Sequence, residues 1–281
     1  MEKTTYRDLC TRLAALYDEG EAKAIVRLMA EKCFGLSLTD LLCDGFNGLT
    51  AQQTVLLHSM AERLLSNEPV QYVLGEEQFY GREFHVEPGV LIPRPETELL
   101  CQWVIQTIQG KGPLSVLDIG TGSGCIAVTL ALELPDSQVT AWDISAKALE
   151  VASQNAETLN AKVTLEQTDI LQPPHDDRTW DVVVSNPPYV TLSERATMHP
   201  NVLRHEPAEA LFVSDEDPQT FYRAIARYAW QHLSSRGHLF FECSTIHIHE
   251  TARLLTQMGY TDVSMLDDQF DKPRHLKASR P

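Results

Sequence analysis

The sequence predicts an α/β protein in which a small all-α bundle precedes a mostly parallel sheet covered by helices on both faces. Two observations predict this class. Apolar positions recur at helical spacing from about residue 4 to residue 74, whereas short apolar runs alternate with helical segments from Leu114 onward. This alternation favours parallel strands, because the crossover helices then lie on the faces of the sheet.

The N-terminal region is predicted to form a helical bundle. Ser37 and Thr50 are typical N-cap residues, and they precede a short helix over 38–42 and a longer one over 51–66. Glycines are expected to end the helices of this region, at Gly20, Gly35 and Gly45.

A β-hairpin is predicted to link the bundle to the sheet. Residues 78–86 have a strand-like composition with a turn at Gly81, and Pro88-Gly89 is a second turn signal. Pro95 suits the first turn of a helix that runs to about Ile108. The expected domains are the bundle at 1–76, the hairpin at 77–94 and the sheet domain at 95–281.

The sheet domain is predicted to alternate strands and helices. The expected strands are Leu114–Ile119, Gln138–Trp142, Val163–Gln167, Trp180–Ser185 and His238–Cys243, with a final pair near Asp262–Met265 and His275–Ala278. Helices are expected to start near Ser123, Ser145, Pro218 and Ile246. The polar, proline-containing segment Thr191–Glu216 is predicted to be a long loop of the kind that serves as a lid.

Composition narrows the possible functions. The 281 residues carry a net charge of -16 without a Lys/Arg-rich run, which argues against unaided binding to a nucleic-acid backbone. The six scattered cysteines favour small buried side chains over a disulfide framework or a metal site. The chain lacks a signal-peptide pattern and a membrane-length apolar run. We therefore expect a cytoplasmic protein that binds neither metal nor membrane.

A glycine turn follows the first strand of the sheet domain. It comprises Gly120, Thr121, Gly122, Ser123 and Gly124, and its spacing matches neither the dinucleotide fingerprint nor a P-loop. The preceding Asp118 and the lack of a basic group suit a nucleoside with a cationic amino-acid tail, such as S-adenosylmethionine. A tight strand–helix connection with no ligand is the alternative interpretation.

Acidic residues follow the next two predicted strands. Asp143 lies about 20 positions after the glycine turn, where an acid accepts hydrogen bonds from ribose hydroxyls. Asp169 is placed to accept from an adenine amino group, and Ile170 to cover the ring. Taken singly, each aspartate is also typical of a helix N-cap or a turn.

The segment Ser185–Tyr189 ends a buried strand with Asn186, Pro187, Pro188 and Tyr189. The prolines stop the strand, since neither can donate to the ladder. Ligands of open α/β sheets bind outside the carboxyl ends of the strands. An amide side chain, fixed carbonyls and an aromatic ring at that place form a suitable clamp for a planar NH2 group.

Together these motifs resemble class I S-adenosylmethionine-dependent methyltransferases, and the chain is most similar to the HemK/PrmC family of release factor glutamine methyltransferases. The segment Pro93–Glu98 is the most family-specific. The other supporting segments keep the family's order and spacing: Glu68–Gly75, Phe79–Gly81, Leu91–Ile92, Asp118–Gly124, Ser185–Tyr189, Glu206-Pro207 and Ala210-Leu211. After about residue 240 the chain departs from the family pattern, with Glu242-Cys243-Ser244 where many members have Glu-Ile-Gly.

The resemblance implies a seven-stranded Rossmann-like methyltransferase sheet and a reaction. S-adenosylmethionine would methylate the side-chain amide nitrogen of the glutamine in the Gly-Gly-Gln loop of peptide chain release factors, leaving S-adenosylhomocysteine. Asn186 Oδ1 and the Pro187 carbonyl would accept the amide N–H bonds, Pro188 and Tyr189 would pack against the substrate, and Arg94 would lie beside the cofactor's amino-acid end. The bundle would dock the release factor, and a monomer is expected.

Two other functions remain open from the sequence. The clamp for an NH2 group is shared with DNA adenine and cytosine amino-methyltransferases, although the acidic charge counts against them. The glycine turn alone is compatible with a non-catalytic regulator that binds S-adenosylmethionine. The clamp argues against such a regulator, which has no need to hold an NH2 group.

Overall fold

The computed structural model describes residues 4–281. The chain divides into two compact units. The helical unit contains the N-terminal residues to 76 together with 199–205, and the sheet unit contains 77–198 and 206–281.

The elements follow one another along both units. The α-helices are α1 (Tyr6–Leu13), α2 (Glu19–Phe34), α3 (Leu38–Leu42), α4 (Ala51–Leu65), α5 (Val70–Leu74), α6 (Pro95–Ile108), α7 (Cys125–Glu133), α8 (Ala146–Thr158), α9 (Pro200–His205), α10 (Thr220–His232) and α11 (Ile248–Gln257). The strands are β1 (Glu76–Phe79), β2 (Arg82–His85), β3 (Ser115–Ile119), β4 (Gln138–Asp143), β5 (Val163–Gln167), β6 (Trp180–Ser185), β7 (Val190–Thr191), β8 (Phe212–Val213), β9 (Leu233–Glu242), β10 (Thr261–Asp267) and β11 (Pro273–Ser279). None of the helices between residues 4 and 281 combines the length and the hydrophobicity of a membrane-spanning segment.

Local sequence signals explain most helix ends in the helical unit. Ser37 and Thr50 cap α3 and α4 through reciprocal hydrogen bonds with Asp40 and Gln53, as predicted. Gly35 ends α2 in the left-handed region, with φ of 66°. Fully buried side chains of α1, α2 and α4 form the core of the unit, including Leu9, Leu13, Met29 and Leu64.

Two glycine predictions in this unit are wrong. Gly20 lies inside the first turn of α2, because Asp18 caps that helix by accepting a hydrogen bond from the Glu21 backbone N–H. Gly45 begins a short 3₁₀ helix, since the preceding Asp44 takes the left-handed conformation in its place.

The sheet unit contains a seven-stranded mixed sheet with the order β10-β11-β9-β6-β3-β4-β5. The five strands from β9 to β5 are parallel, and β11 and β10 add an antiparallel edge. This confirms the predicted α/β class and the final strand pair. The chain runs outward from β3 to β4 and β5, and then returns to β6 on the other side of β3. That reversal is a topological switch point, where open α/β sheets bind ligands.

Both faces of the sheet are buried, because alternate strand residues face opposite layers. Leu117 and Val183 pack with α10 and α11, whereas Val116, Val182 and Val184 pack with α6 and α7. The predicted hairpin is present as β1–β2, and α6 begins with Pro95 in its first turn.

Two segments differ from expectation. Strand β9 begins at Leu233 rather than near His238, because its pairing with β6 continues across an irregularity next to Arg236, which has φ of 65°. The segment 191–216 is not a structureless loop. It contains α9 and two short 3₁₀ helices, and its ends pair as the parallel strands β7 and β8.

Candidate active site

Two cavities open at the carboxyl edge of the sheet, beside the switch point. The larger measures about 250 Å³ and the smaller about 50 Å³. Asn186 and Pro187 line both cavities, as do Leu91 and Ala210. A further depression of about 530 Å³ lies beside Thr179, which precedes β6 and therefore belongs to the opposite edge of the sheet.

The glycine turn forms one wall of the larger cavity. Gly120 and Gly122 line the cavity with φ of 75° and 55°, which a residue with a side chain adopts only with strain. The backbone N–H of Gly120 donates to the Trp142 carbonyl over 2.8 Å. Gly124 serves packing instead, since a Cβ there would lie 3.0 Å from the Cβ of Ala152.

The two strand-end aspartates also line the larger cavity. Asp143 Oδ2 accepts from the Gly122 N–H and Oδ1 from the Ser145 N–H, each over 2.9 Å. Burial raises the pKa of the Asp143 carboxyl, while these backbone donors oppose the rise. Asp169 Oδ1 accepts from the Leu171 N–H over 2.9 Å, so both carboxylates are held by their own turns.

Asp118 lies behind the glycine turn and is fully buried. The Thr121 hydroxyl donates to its Oδ2 over 2.7 Å, but its Oδ1 has no hydrogen-bond partner among the described residues. Burial is the main cause that raises the pKa of this carboxyl to about 7, with the charge of Asp143 adding to the rise. A cationic group in the larger cavity would therefore stabilise the ionised form of Asp118.

Asn186 and Pro187 follow directly from β6. The Ser185 hydroxyl donates to the Ile119 carbonyl over 2.6 Å and ties the end of β6 to β3. The side-chain N–H of Asn186 donates to the Thr97 hydroxyl over 3.3 Å. Within residues 4–281, no hydrogen bond uses the Oδ1 of Asn186.

A buried carboxylate lies behind the clamp. Glu242, at the end of β9, is 1% exposed, and burial raises its pKa. Its Oε2 accepts from the Thr97 hydroxyl over 2.7 Å, and its Oε1 accepts from the Tyr189 hydroxyl over 3.1 Å. Burial and the neighbouring Glu242 charge raise the pKa of Tyr189, so its hydroxyl remains protonated and serves as a donor.

Not every predicted site residue lies on the larger cavity. Ile170 and Pro188 do, whereas Arg94 and Tyr189 line only the smaller one. Arg94 forms an ion pair with Glu206 over 2.6 Å, and the second oxygen of that carboxylate accepts from the Ile92 N–H. Thr121 and Ser123 are buried behind the glycine turn rather than on the cavity wall.

Sequence reasoning missed several residues of the site. Thr97 and Glu242 belong to longer motifs, and neither motif shows that two residues 145 positions apart share a hydrogen bond. Phe221 and Glu209 also line the larger cavity. Phe221 lies in a segment without a motif, and Glu209 lies between Glu206-Pro207 and Ala210-Leu211 without belonging to either pair. An isolated acid after an apolar strand run was the one available signal for Glu242.

The charges of the larger cavity favour a cationic ligand. Its lining contains the carboxylates Asp143, Asp169 and Glu209, and the part of the chain from residue 4 onward contributes no Lys, Arg or His side chain to it. A phosphate-bearing ligand would face repulsion there. The residues present therefore fit a nucleoside that carries positive charge.

The chain matches two known sequence families. Residues 94–211 match the methyltransferase small domain, and residues 5–75 match the PrmC N-terminal domain. Among curated proteins, the release factor glutamine methyltransferase of Bacteroides thetaiotaomicron is 42% identical over 95% of this chain and 96% of its own length. The release factor glutamine methyltransferase of Flavobacterium psychrophilum is 38% identical over 95% of both chains.

Solved structures support the fold. A methyltransferase from Pyrococcus furiosus aligns with a TM-score of 0.53 at 19% identity, over 78% of this chain and 96% of that chain. The Thermus thermophilus 16S rRNA N2 G1207 methyltransferase RsmC, solved with AdoMet and guanosine, also aligns with a TM-score of 0.53, at 18% identity over 73% of this chain and 50% of that chain. At these identities the likeness establishes the methyltransferase fold alone. The near full-length sequence matches go further: the chain belongs to the family of release factor glutamine methyltransferases.

Proposed function

We propose that the protein methylates the side-chain amide nitrogen of the glutamine in the Gly-Gly-Gln loop of peptide chain release factors, with S-adenosylmethionine as donor. The observation that carries this proposal is the position of Asn186 and Pro187 on the lining of both cavities. A donor in the larger cavity and an acceptor in the smaller one would meet at these two residues.

The larger cavity suits the donor. When bound, S-adenosylmethionine supplies an electrophilic methyl group and leaves as S-adenosylhomocysteine. Asp143 would accept from ribose hydroxyls and Asp169 from the adenine amino group, each with the lone pairs that its turn leaves free. Asp118 would stabilise the positive charge from behind the glycine turn, since its Oδ1 is unpartnered.

The smaller cavity suits a primary amide. Its 50 Å³ corresponds to roughly three to five water-sized groups. The Oδ1 of Asn186 and the Pro187 carbonyl would accept the two N–H bonds of a substrate amide and turn its nitrogen toward the larger cavity. Tyr189 would form the wall against the amide plane.

Two acceptors beside the substrate amide would assist a reaction that is otherwise slow. An amide nitrogen is a weak nucleophile because its lone pair is delocalised into the carbonyl. Two acceptors on its hydrogens stabilise the positive charge that develops on the nitrogen as the new N–C bond forms. A strong base is not required at the start, because the N–H becomes acidic only during transfer.

The helical unit would dock the release factor. Large apolar side chains are exposed on this unit, including Leu42 at 69% and Val55 at 63%. Side chains of this kind are available to a protein partner, because exposed apolar surface is what protein-binding sites cover. The acidic net charge also suits a protein partner better than a nucleic acid.

A transfer assay tests the function. The protein is incubated with methyl-labelled S-adenosylmethionine and with a release factor, with the same factor carrying Gly-Gly-Ala in place of Gly-Gly-Gln, or with duplex DNA. We expect label on the intact factor alone. Label on DNA would support an amino-methyltransferase of nucleic acid, and cofactor binding without transfer to any acceptor would support a regulator.

A further inference from the structure

The Asn186 side chain has two orientations, and only one of them can grip a substrate amide. An acceptor must face the substrate N–H, so Oδ1 must point toward the smaller cavity. If the amide turned over, Nδ2 would face the substrate and oppose its N–H bonds. Some feature of the protein therefore has to select the orientation.

The Thr97 hydroxyl makes this selection. Its one hydrogen is donated to Glu242 Oε2 over 2.7 Å, so its oxygen can only accept from Asn186. The Nδ2 of Asn186 lies 3.3 Å from that oxygen and donates to it. A turned amide would place Oδ1 against the lone pairs of the Thr97 hydroxyl, which is unfavourable for two acceptors in a partly buried place.

Glu242 fixes the direction of the whole chain of hydrogen bonds. Both of its oxygens accept: Oε2 accepts from the Thr97 hydroxyl and Oε1 from the Tyr189 hydroxyl. The half-buried Arg274 on β11 interacts electrostatically with Glu242 and supports its charge. The Glu242 carboxylate thus orients both the Asn186 amide, through Thr97, and the Tyr189 ring at the smaller cavity.

We propose that Thr97 and Glu242 are positioning residues that set the orientation of the Asn186 amide and thereby make the site prefer a glutamine amide to a glutamate carboxylate. This inference rests on the proposed function. In the other orientation, the N–H groups of Asn186 would face the smaller cavity, where they would bind a glutamate carboxylate.

A purely structural role for these residues predicts a different result. The Thr97–Glu242 bond also joins α6 to β9, so its loss would lower stability whatever its effect on Asn186. A structural role leaves the ratio of affinities for Gln- and Glu-containing acceptors unchanged. A positioning role changes that ratio.

The first experiment compares Thr97→Val with the matched control Thr97→Ser. Valine keeps the shape and loses the hydroxyl, whereas serine keeps the hydroxyl. We expect Thr97→Val to lower kcat on the release factor roughly 10-fold, on the order of a lost buried hydrogen bond, with an unchanged Kd for S-adenosylmethionine. Thr97→Ser should retain near wild-type kcat, and equal activity of the two variants would overturn the proposal.

The second experiment measures binding in the presence of S-adenosylhomocysteine. The ligands are the release factor and its Gly-Gly-Glu variant. The wild type should prefer the glutamine form, and Thr97→Val should lose most of that preference. In an Asn186→Ala background, Thr97→Val should change nothing further, since it acts through Asn186. An unchanged preference in Thr97→Val would contradict the proposal.

Glu242→Gln provides an independent variant if Thr97→Val does not fold. The Thr97 and Tyr189 hydroxyls bond to different oxygens of Glu242, and glutamine has an NH2 group in place of one of them, so one of the two hydroxyls loses its acceptor. Either loss should lower kcat while the cofactor Kd stays constant. Unchanged kcat in this variant would refute the positioning role. A wild-type protein that does not methylate release factor would instead refute the proposed function, which keeps the two failures distinct.

Discussion

The two units of the molecule differ in where their polar and apolar side chains lie: the sheet unit buries polar groups, and the helical unit exposes apolar ones. Among residues 4–281, the eighteen buried polar or charged residues all lie in the sheet unit except Asn67. The twelve large apolar side chains that are exposed divide evenly, although the helical unit is much the smaller. Burying polar groups costs stability unless each is paired, so they are expected where geometry must be fixed. The difference supports the proposal that the sheet unit carries the chemistry and the helical unit the recognition of the partner.

The largest expected effect comes from the clamp in the sheet unit. Asn186→Ala should lower kcat by about 100-fold or more, the scale of losing a group that stabilises developing charge. Binding of S-adenosylmethionine, measured by calorimetry, should stay within a few-fold of wild type. A comparable loss of cofactor affinity would show that Asn186 serves the cofactor rather than the acceptor.

Asp118→Asn removes the buried carboxylate behind the glycine turn and should weaken cofactor binding in the sheet unit. We expect an affinity for S-adenosylmethionine that is about 10-fold weaker, because one pKa-unit equivalent of charge stabilisation is lost. Titration calorimetry measures this loss. Thr129→Val is a matched control, since it changes a buried polar residue without charge.

The same variant also changes the pH dependence of stability. The pKa of Asp118 is raised to about 7, so the folded protein holds a proton that the unfolded chain releases between about pH 4 and pH 7. Stability contributed by this group is therefore present at low pH and lost as the pH rises through that window. We measure the free energy of unfolding in urea without cofactor. Its value for Asp118→Asn should rise relative to that of the wild type between about pH 5 and about pH 8. A constant difference across that range would contradict the burial of an ionisable Asp118.

A substitution in the helical unit should affect recognition only. The double change Leu42→Glu and Val55→Glu should raise KM for intact release factor by roughly 10-fold, as expected for the loss of apolar contacts at an interface. Activity on a short Gly-Gly-Gln peptide should be unchanged. Leu266→Glu, at an exposed apolar position of the sheet unit, is the control. An equal loss of activity on the intact factor and on the peptide would contradict a role of the helical unit in recognition alone.

The smallest effect is expected from a helix cap. Thr50→Ala removes the side chain that caps α4 and should lower the free energy of unfolding by about 1 kcal/mol. The exposed Gln52→Ala in the same helix should change it by less than about 0.5 kcal/mol. Neither change should alter kcat, and a cap variant with reduced kcat would show that the helical unit contributes to the chemistry.

Much of the fold could be predicted because its signals are local. Apolar runs marked the strands, and caps such as Ser37 and Thr50 marked helix starts. Gly20 differs from its prediction because a glycine tolerated in the first turn of a helix looks the same in sequence as a helix stop. The segment 199–205 was missed as part of the helical unit, since its membership depends on contacts distant in sequence.

The residues of the site that follow strands could be predicted from the sequence, whereas the contacts between distant segments could not. The glycine turn, Asp143, Asp169 and Asn186–Tyr189 each follow a strand, so topology alone brings them to one edge of the sheet. Arg94 could not be assigned to one cavity, because its partner Glu206 lies 112 positions away. The network behind Asn186 depends on three segments that meet only in the folded chain, namely α6, β6 and β9.

The position of the transferred methyl group decides whether Asn186 holds a glutamine amide for methylation. Release factor treated with the protein and S-adenosylmethionine is digested, and the Gly-Gly-Gln peptide is sequenced by tandem mass spectrometry. We expect one added methyl group on the glutamine side-chain nitrogen, formed at least about 100-fold more slowly when Asn186→Ala replaces the wild-type protein under the same conditions. A methyl group on any other atom of the factor, or undiminished labelling by Asn186→Ala, would contradict this expectation.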